Sequence, residues 1–515
     1  MKFWSLAGST ALATLCAQVP AFADVTPAQV WQSWQDLSAS YGQTLTAGNV
    51  DDQGDTLTVT GLAINYDQNG VKAAGTIGEM VFADMGDGTV KVTMSDSYPL
   101  TLTLPPEAAG GDPTTISLQI DQPDLTILAS GDTAETSYSF TGPSVTIALT
   151  GVEGVETEAV DITAKAELAN MAGKYIFTPD GDRNALSSSY SADSLTVSFA
   201  GTDPDPSPST DGTAAPSSGT VAFTMKDITG TTNGTILNAA AMADMAAALK
   251  AGFATDGSFN AGESTVEVDV TDARGNTKLS GKGATAALSF GMNDQRIAYS
   301  GSATGVTTTM SSPDIPFPQI SLSYAETAFD FLMPVSASET PADFKLLTKL
   351  VDFTISDEVW DMFDPTKQLP RDPATLVIDT KGTATLKASL FDAAAMKAAG
   401  QTATPPGELN SLEVTELRAK FAGAELTGNG AFTFDNTDTT TYGGMPAPTG
   451  KIDLKATGAN TLMDKLVAMG LMPEDQVMGM RMMLSMFANA TGEDELSSTL
   501  EFKDKGFYAN GQRLQ

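Results

Sequence analysis

Polar and apolar residues alternate with period two along most of this chain, as in "DTLTVTGLAI" (55–64), "GTVKVTMSDS" (88–97), "STVEVDVTD" (264–272) and "ELTGNGAFTF" (425–434). Successive side chains of a strand point to opposite faces, so this spacing describes strands with one wet face and one apolar face. One-sided strands belong in antiparallel sheets. The expected fold class is α+β, predominantly antiparallel β, with extended curved sheets capped by a few short helices.

Helical spacing is confined to a few segments. Thr26-Pro27 is a cap followed by proline at the first helical position, and Val30, Trp34, Leu37 and Tyr41 recur until Gly42 stops the run. Further helices are expected over 237–250, over 344–363 with a break near Thr354, and as a pair over 461–487. Each is followed by a strand, a tight turn and a second strand. The turns share a spelling: Asp67-Gln68-Asn69-Gly70, Asp272-Ala273-Arg274-Gly275, Asp379-Thr380-Lys381-Gly382 and the shorter Asp504-Lys505-Gly506. Asp opens a turn through its side chain and Gly accepts positive φ. Two accounts fit: four weak copies of one helix-plus-hairpin repeat, or four independent antiparallel turns.

Residues 1–23 read as a signal peptide. Lys2 precedes an apolar stretch from Phe3 to Val19, and Ala21-Phe22-Ala23 is an A-x-A cleavage signal before Asp24. The mature chain is thus expected in the periplasm. The single cysteine, Cys16, lies inside this segment, so the fold must rely on a large core without disulfides. The stretch "GTDPDPSPSTDGTAAPSSGT" (201–220) reads as a linker or exposed loop. It separates an N-terminal helix and β-rich region (24–200) from a middle β-rich region with helices (221–370). A softer boundary near Leu369-Pro370-Arg371 opens a C-terminal region with Met-rich helices (371–515), in which 401–410 and 441–450 look like long loops. No later stretch approaches the roughly 18 apolar residues of a membrane helix, so no span is expected after signal cleavage.

Charge and missing residues remove whole classes of function. The chain carries 28 Lys and Arg against 63 Asp and Glu, a formal charge of −35, which repels nucleic acid. It contains no histidine, which removes imidazole-based catalysis and zinc binding. With no cysteine in the mature chain, thiolate and iron-sulfur chemistry go too. Only carboxylates remain. Glu358, Asp361 and Asp364 share one helical side near Trp360 and are the best local candidates for a glycosidase-like pair. A solvated helix face is the plainer account of them. Glu474 and Asp475, after Pro473, suit the first turn of a helix. "DGDRN" (180–184) opens like a calcium loop, but Ala185 replaces the required Gly and Ser191 the required Glu, so a polar turn is preferred. No enzymatic activity and no cofactor are expected.

The stretch "MGMRMMLSMF" (478–487) places Met478, Met482 and Met486 in one helical stripe, with Met480, Met483, Leu484 and Phe487 filling most of the remainder. Three readings apply: core, an adaptable apolar contact for a lipid or partner, or copper(I) held by soft sulfur. A helix apolar nearly all round is normally covered, and core is the provisional reading. Candidate apolar contact residues are Trp31 and Trp34 on the first helix, with Met478, Met482 and Met486.

The segments "ELTGNGAFTF" (425–434), "GKIDLKATGANTLMDKLVAMGLMPEDQ" (450–476) and "GFYANGQRL" (506–514) resemble an uncharacterised alphaproteobacterial periplasmic family, domain of unknown function 2125. The resemblance covers the final third of the chain and implies no catalytic residues. In texture the chain also looks like the AsmA-type envelope proteins, whose curved sheets are associated with phospholipid handling. It departs from them in keeping no N-terminal membrane helix and in its acidity. The expectation is a periplasmic, non-enzymatic envelope scaffold or binding protein, holding a lipid acyl chain or another envelope protein in an apolar groove. A carboxylate enzyme and a copper(I)-binding protein are the alternatives.

Overall fold

The computed structural model describes residues 25–40, 42–68, 70–106, 111–132, 134–154, 161–181, 183–203, 217–237, 241–402 and 406–515. The signal peptide with Cys16, most of the Pro/Ser/Gly-rich segment, and Asp182 of the calcium-like loop lie outside the described residues.

The described strands form one hydrogen-bonded network of 27, and every ladder between them is antiparallel. The network begins with β1 (Gln43–Thr46) and β2 (Asn49–Asp52), which lie end to end along β3 (Thr56–Gln68). Next comes β4 (Val71–Asp84), then the pair β5 (Val90–Met94) and β6 (Ser97–Leu104), then β7 (Thr114–Asp121) with β8 (Thr126–Gly131). Three very long strands follow β9 (Thr136–Glu153): β10 (Asp161–Asp180), β11 (Arg183–Asp203) and β12 (Ser217–Leu237). Then come the split positions β13 (Ala254–Ala261) with β14 (Ser264–Asp272), and β15 (Gly275–Gly283) with β16 (Thr285–Met292). After them run β17 (Arg296–Ser311), β18 (Ile320–Pro334), β19 (Ala342–Ile355), β20 (Ala374–Leu386), β21 (Gly407–Phe421), β22 (Ala424–Asp435) and β23 (Ala447–Thr457). The far edge is β24 (Asn489–Gly492), β25 (Glu495–Lys503), β26 (Gly506–Ala509) and β27 (Gln512–Arg513). About twenty strand positions at roughly 4.8 Å each give a sheet on the order of 90 Å along its hydrogen-bonding direction.

A crease crosses this sheet. Elsewhere on the same transverse line, five of the unsplit strands carry a residue out of the extended conformation: Gly61 (φ 60) in β3, Asn170 (φ 50) in β10, Asp227 (φ 52) in β12, Gly305 (φ 59) in β17 and Asp352 (φ 52) in β19. Asn170 donates across the line to Asp193 at 2.7 Å. On either side of the crease the apolar positions change parity. Leu57 and Val59 precede Gly61, and Leu62 and Ile64 follow it. All four belong to one cluster with Val30, Trp31, Met80, Phe82, Val90 and Val92, so the phase shift keeps both halves' apolar residues on one side.

Among the described residues six α-helices sit at the ends and margins. α1 (Pro27–Ser40) starts where Thr26 and Pro27 predict, and packs Val30, Trp31 and Trp34 onto the apolar side of β3 and β4. α2 (Met245–Lys250) is shorter than the expected 237–250 helix. Leu237 ends β12 instead, and Asp244 caps the helix by accepting from the Ala247 N–H. The expected 344–363 helix is overturned. Phe344, Leu346, Thr348 and Leu350 alternate with Lys345, Leu347 and Lys349 in β19, and only α3 (Asp357–Trp360) is helical. Leu347 beside Leu346 and Leu350 imitates helical spacing there, although the charged neighbours keep period two. The expected turn at Asp379–Gly382 is likewise overturned: it is continuous strand within β20, opposite a β-bulge of β21 at Thr415, between Val414 and Glu416. The other three turns do close hairpins. α4 (Ala393–Thr402) was not anticipated, although Asp392 caps it through the Ala394 and Ala395 N–H groups. β21 then begins inside the expected 401–410 loop, and β23 inside the 441–450 loop. α5 (Ala459–Ala468) and α6 (Glu474–Phe487) form the expected pair. Around the Pro/Ser/Gly-rich segment β11 and β12 pair directly, Asp203 opposite Ser217.

Candidate functional site

Residues paired in a ladder point to the same face, so registers trace a face from strand to strand. In the half of the sheet holding β8, β13 and β16, one such row reads Phe140, Gly173, Tyr190, Gly230, Phe259, Leu288, Gly301, Phe329. In the other half a row reads Tyr98, Ile120, Ile147, Ala166, Val197, Phe223, Val266. Tyr98 packs on the α1 cluster, which places this second row on the same side as α1. The rows beside them are similar: Phe290, Tyr299, Phe331 and Leu346 in one half, and Phe199, Val221, Val268, Leu279 and Met310 in the other.

Glycine recurs in these rows because aromatic rings lie across it. A Cβ added at Gly257 would sit 2.6 Å from the Phe290 ring, at Gly301 2.6 Å from Phe329, and at Gly382 2.7 Å from Phe344; at Gly173 and Gly230 it would overlap Phe140 and Tyr190. The rings therefore lie flat over the neighbouring strand, the arrangement by which aromatics protect strand glycines.

This side has almost no charge. Away from the crease, charged side chains of the described strands reach it only at a strand's last residue, and there they are acids: Asp52, Asp84, Asp203 and Asp272. The opposite side holds most of the charges, with hydroxyl and amide pairs among them. Lys345 pairs with Asp330 at 2.8 Å, Lys349 with Glu326 at 2.7 Å and Arg418 with Glu425 at 2.7 Å, while Ser323 bonds Thr354 and Ser187 bonds Asn233.

The apolar side is sealed at one end and uncovered over most of its length. At α1 an aromatic chain runs Trp31, Phe82, Trp34, Tyr138, Tyr175, Phe177, with successive centroids 5.5–6.5 Å apart. Burial raises the pKa of the Tyr138 phenol there, against hydrogen bonding with Trp34 and Ser33. Beyond that end Tyr299 is 53% exposed, Leu288 and Leu346 50% and Phe329 44%. Ala192 and Ile228, paired beside the crease, are nevertheless buried, as at the bottom of a fold. Towards the C-terminal end, Leu350, Leu376, Ala419, Leu426 and Ala456 line a depression of about 360 Å³ with Leu462 of α5.

The residues singled out in the sequence fall in different settings. Trp31 is buried and Trp34 partly so, both within the α1 core. Met478, Met482 and Met486 are 61%, 65% and 60% exposed, which overturns the core reading of that stripe; the buried residue of α6 is Val477. The opposite edge of the helix is tied down, with Arg481 donating to Asp464 at 2.7 Å and to the Asn460 carbonyl. The stripe therefore faces away from α5. Asp361 and Asp364 are structural. Asp361 and Asp357 hold Arg371, whose guanidinium lies 6.0 Å from the Trp360 ring. Asp364 is fully buried and accepts from the Gln368 and Leu369 N–H groups at 2.9 and 2.7 Å. Its burial would raise the pKa, but these donors and Arg371 prevail and hold it below the usual carboxylate value. The apolar face itself was not singled out as a set. Its signal is the lack of charge at every second strand position short of the strand ends, which needs the register to be read.

Among the described residues no helix is long and apolar enough to cross a membrane. No curated protein and no solved structure matches the chain. The family described as an uncharacterized protein conserved in bacteria, DUF2125, matches residues 248–510, so the match begins well before the final third on which the resemblance rests. By that match, which spans half of its length, the chain belongs to the bacterial DUF2125 family.

Proposed function

We propose that this protein is a non-enzymatic binding protein of the bacterial envelope, and that the creased apolar face is a trough for lipid acyl chains. The observation that carries the reading is the uncovered, uncharged apolar side running from the α1 core to the C-terminal helices. Phe290, Tyr299 and Phe329 each present very roughly 100 Å² if about half of an aromatic side chain's 150–250 Å² stays exposed. With Leu288 and Leu346 beside them, this stretch alone reaches about the 300–600 Å² of the largest patch on a typical monomer. Patches beyond that size mark interaction sites, and an acyl chain is the ligand that needs apolar contact along its whole length and no polar partner.

The signal-like start of the chain supports export to the periplasm, where such a trough would meet membrane lipid. The test is extraction and mass spectrometry of the full chain purified from the cells that make it. Lipid bound in at least stoichiometric amount is expected. Protein that emerges free of lipid, and stays free after incubation with vesicles, rules the reading out.

A further inference from the structure

Resting on the trough reading above, we infer that the preferred cargo is a diacyl lipid whose headgroup carries an amine and no net negative charge, of the ethanolamine or choline class. Among the described residues the apolar side offers hydroxyls such as those of Tyr190 and Tyr299 but, between the strand ends, no charged partner, so a charged headgroup must sit at the rim, where strands end in turns. That rim is acidic. Asp84, Asp203 and Asp272 end their strands on the apolar side, and Asp67, Asp180 and Asp504 stand at or beside hairpin turns.

Several rim cations are already engaged. Lys72 lies 3.5 Å from Asp67, Arg274 lies 2.9 Å from both Asp272 and Asp314, and Lys505 lies 2.8 Å from Asp438. A phosphate entering here would compete with carboxylates for those cations, inside the field of a chain with formal charge −35. At physiological salt that field acts over about 8 Å, so it is felt by a headgroup seated at the rim. A zwitterionic headgroup instead brings its own ammonium, which the rim acids accept, and its phosphate need not find a protein cation. An anionic glycerol headgroup lacks that compensation.

The full chain is incubated with phosphatidylethanolamine/phosphatidylcholine vesicles or with phosphatidylglycerol vesicles of the same acyl composition. Vesicles are removed by flotation, and protein-bound lipid is quantified at 50 mM and 500 mM salt. At least tenfold more zwitterionic than anionic lipid is expected at low salt, with the ratio moving toward one at high salt as the field is screened. Equal or greater uptake of phosphatidylglycerol at low salt overturns the headgroup inference while leaving the trough intact. No uptake of any lipid overturns both. In the variant D84K/D203K/D272K, whose three positions all end strands on the apolar side, the ratio should move at least threefold toward the anionic lipid; an unchanged ratio in a folded variant also overturns the inference.

Discussion

Replacing Leu288, Phe329 and Leu346 together by glutamate separates a binding face from an unused one. Leu288 and Phe329 flank Gly301 in register, and Leu346 pairs with Phe331 one row away. Full burial of such a side chain is worth about 1.5–3 kcal/mol, and these three are 50%, 44% and 50% exposed. Each replacement should therefore cost the empty protein about 1 kcal/mol, and the three together about 3 kcal/mol if they add. A domain stable by about 5–15 kcal/mol survives this. With an acyl chain laid over the stretch, each carboxylate must be stripped of water or neutralised, and an unpaired buried polar group costs about 2–7 kcal/mol. Even 3 kcal/mol corresponds to roughly a hundredfold in affinity. The assay is lipid per protein after extraction, alongside circular dichroism and a urea titration. The control carries three glutamates on the opposite side, at Ser198, Ser289 and Thr309. The reasoning is refuted if the apolar-side variant keeps wild-type lipid while folded, or if the control loses as much.

Three further outcomes follow from particular contacts. Gly173→Val puts a side chain into the Phe140 ring and within 2.7 Å of the Ser189 carbonyl; it should lower stability by about 1–3 kcal/mol, read as a urea midpoint shift, and an unchanged midpoint contradicts the ring-over-glycine packing. Asp494 accepts from the Asn460 and Thr461 N–H groups at the start of α5, and although burial acts to raise its pKa, these donors hold it below the usual carboxylate value. Its contribution is thus present above the unfolded pKa of about 3.9 and lost as pH falls through the lower folded value. Asp494→Asn should lower the melting temperature at pH 7, with a difference that closes as the pH drops below about 4; a pH-independent difference argues against the charged cap. Replacing Met478, Met482 and Met486 by glutamine should change stability by less than about 1 kcal/mol in urea titration, since exposed positions contribute little, and a larger loss would mean that the stripe is packed.

What the sequence made legible was whatever depends on nearest neighbours. Thr26-Pro27 sets the start of α1, and period two marks most strands, because capping and alternation are local. Readings failed where spacing is ambiguous or where packing decides. Phe344 to Phe363 offered apolar residues at both two- and four-residue intervals, and strand partners on both sides chose between them. Burial of the methionine stripe depends on what lies opposite α6, which no local pattern encodes. The crease was invisible for a different reason: Asn170, Asp227, Gly305 and Asp352 are far apart in sequence and align only once about twenty registers are in place.

The crease also explains how so long an apolar side comes to lie on one face of the sheet. With strict alternation through β12, Met225 and Ile228 would fall on opposite faces, and each half would expose its apolar set to a different side. The left-handed residue Asp227 between them absorbs one position, so one side collects the apolar residues of both halves and the other collects the charges. Exposed strands normally carry interspersed charges as protection against pairing and aggregation. Here that protection stands on the outer side and the rims, while Leu288, Tyr299, Phe329 and Leu346 have none in their own rows. A half-exposed surface kept free of lysine and glutamate across so many strands invites self-association unless it is covered, and the proposed lipid is what would cover it.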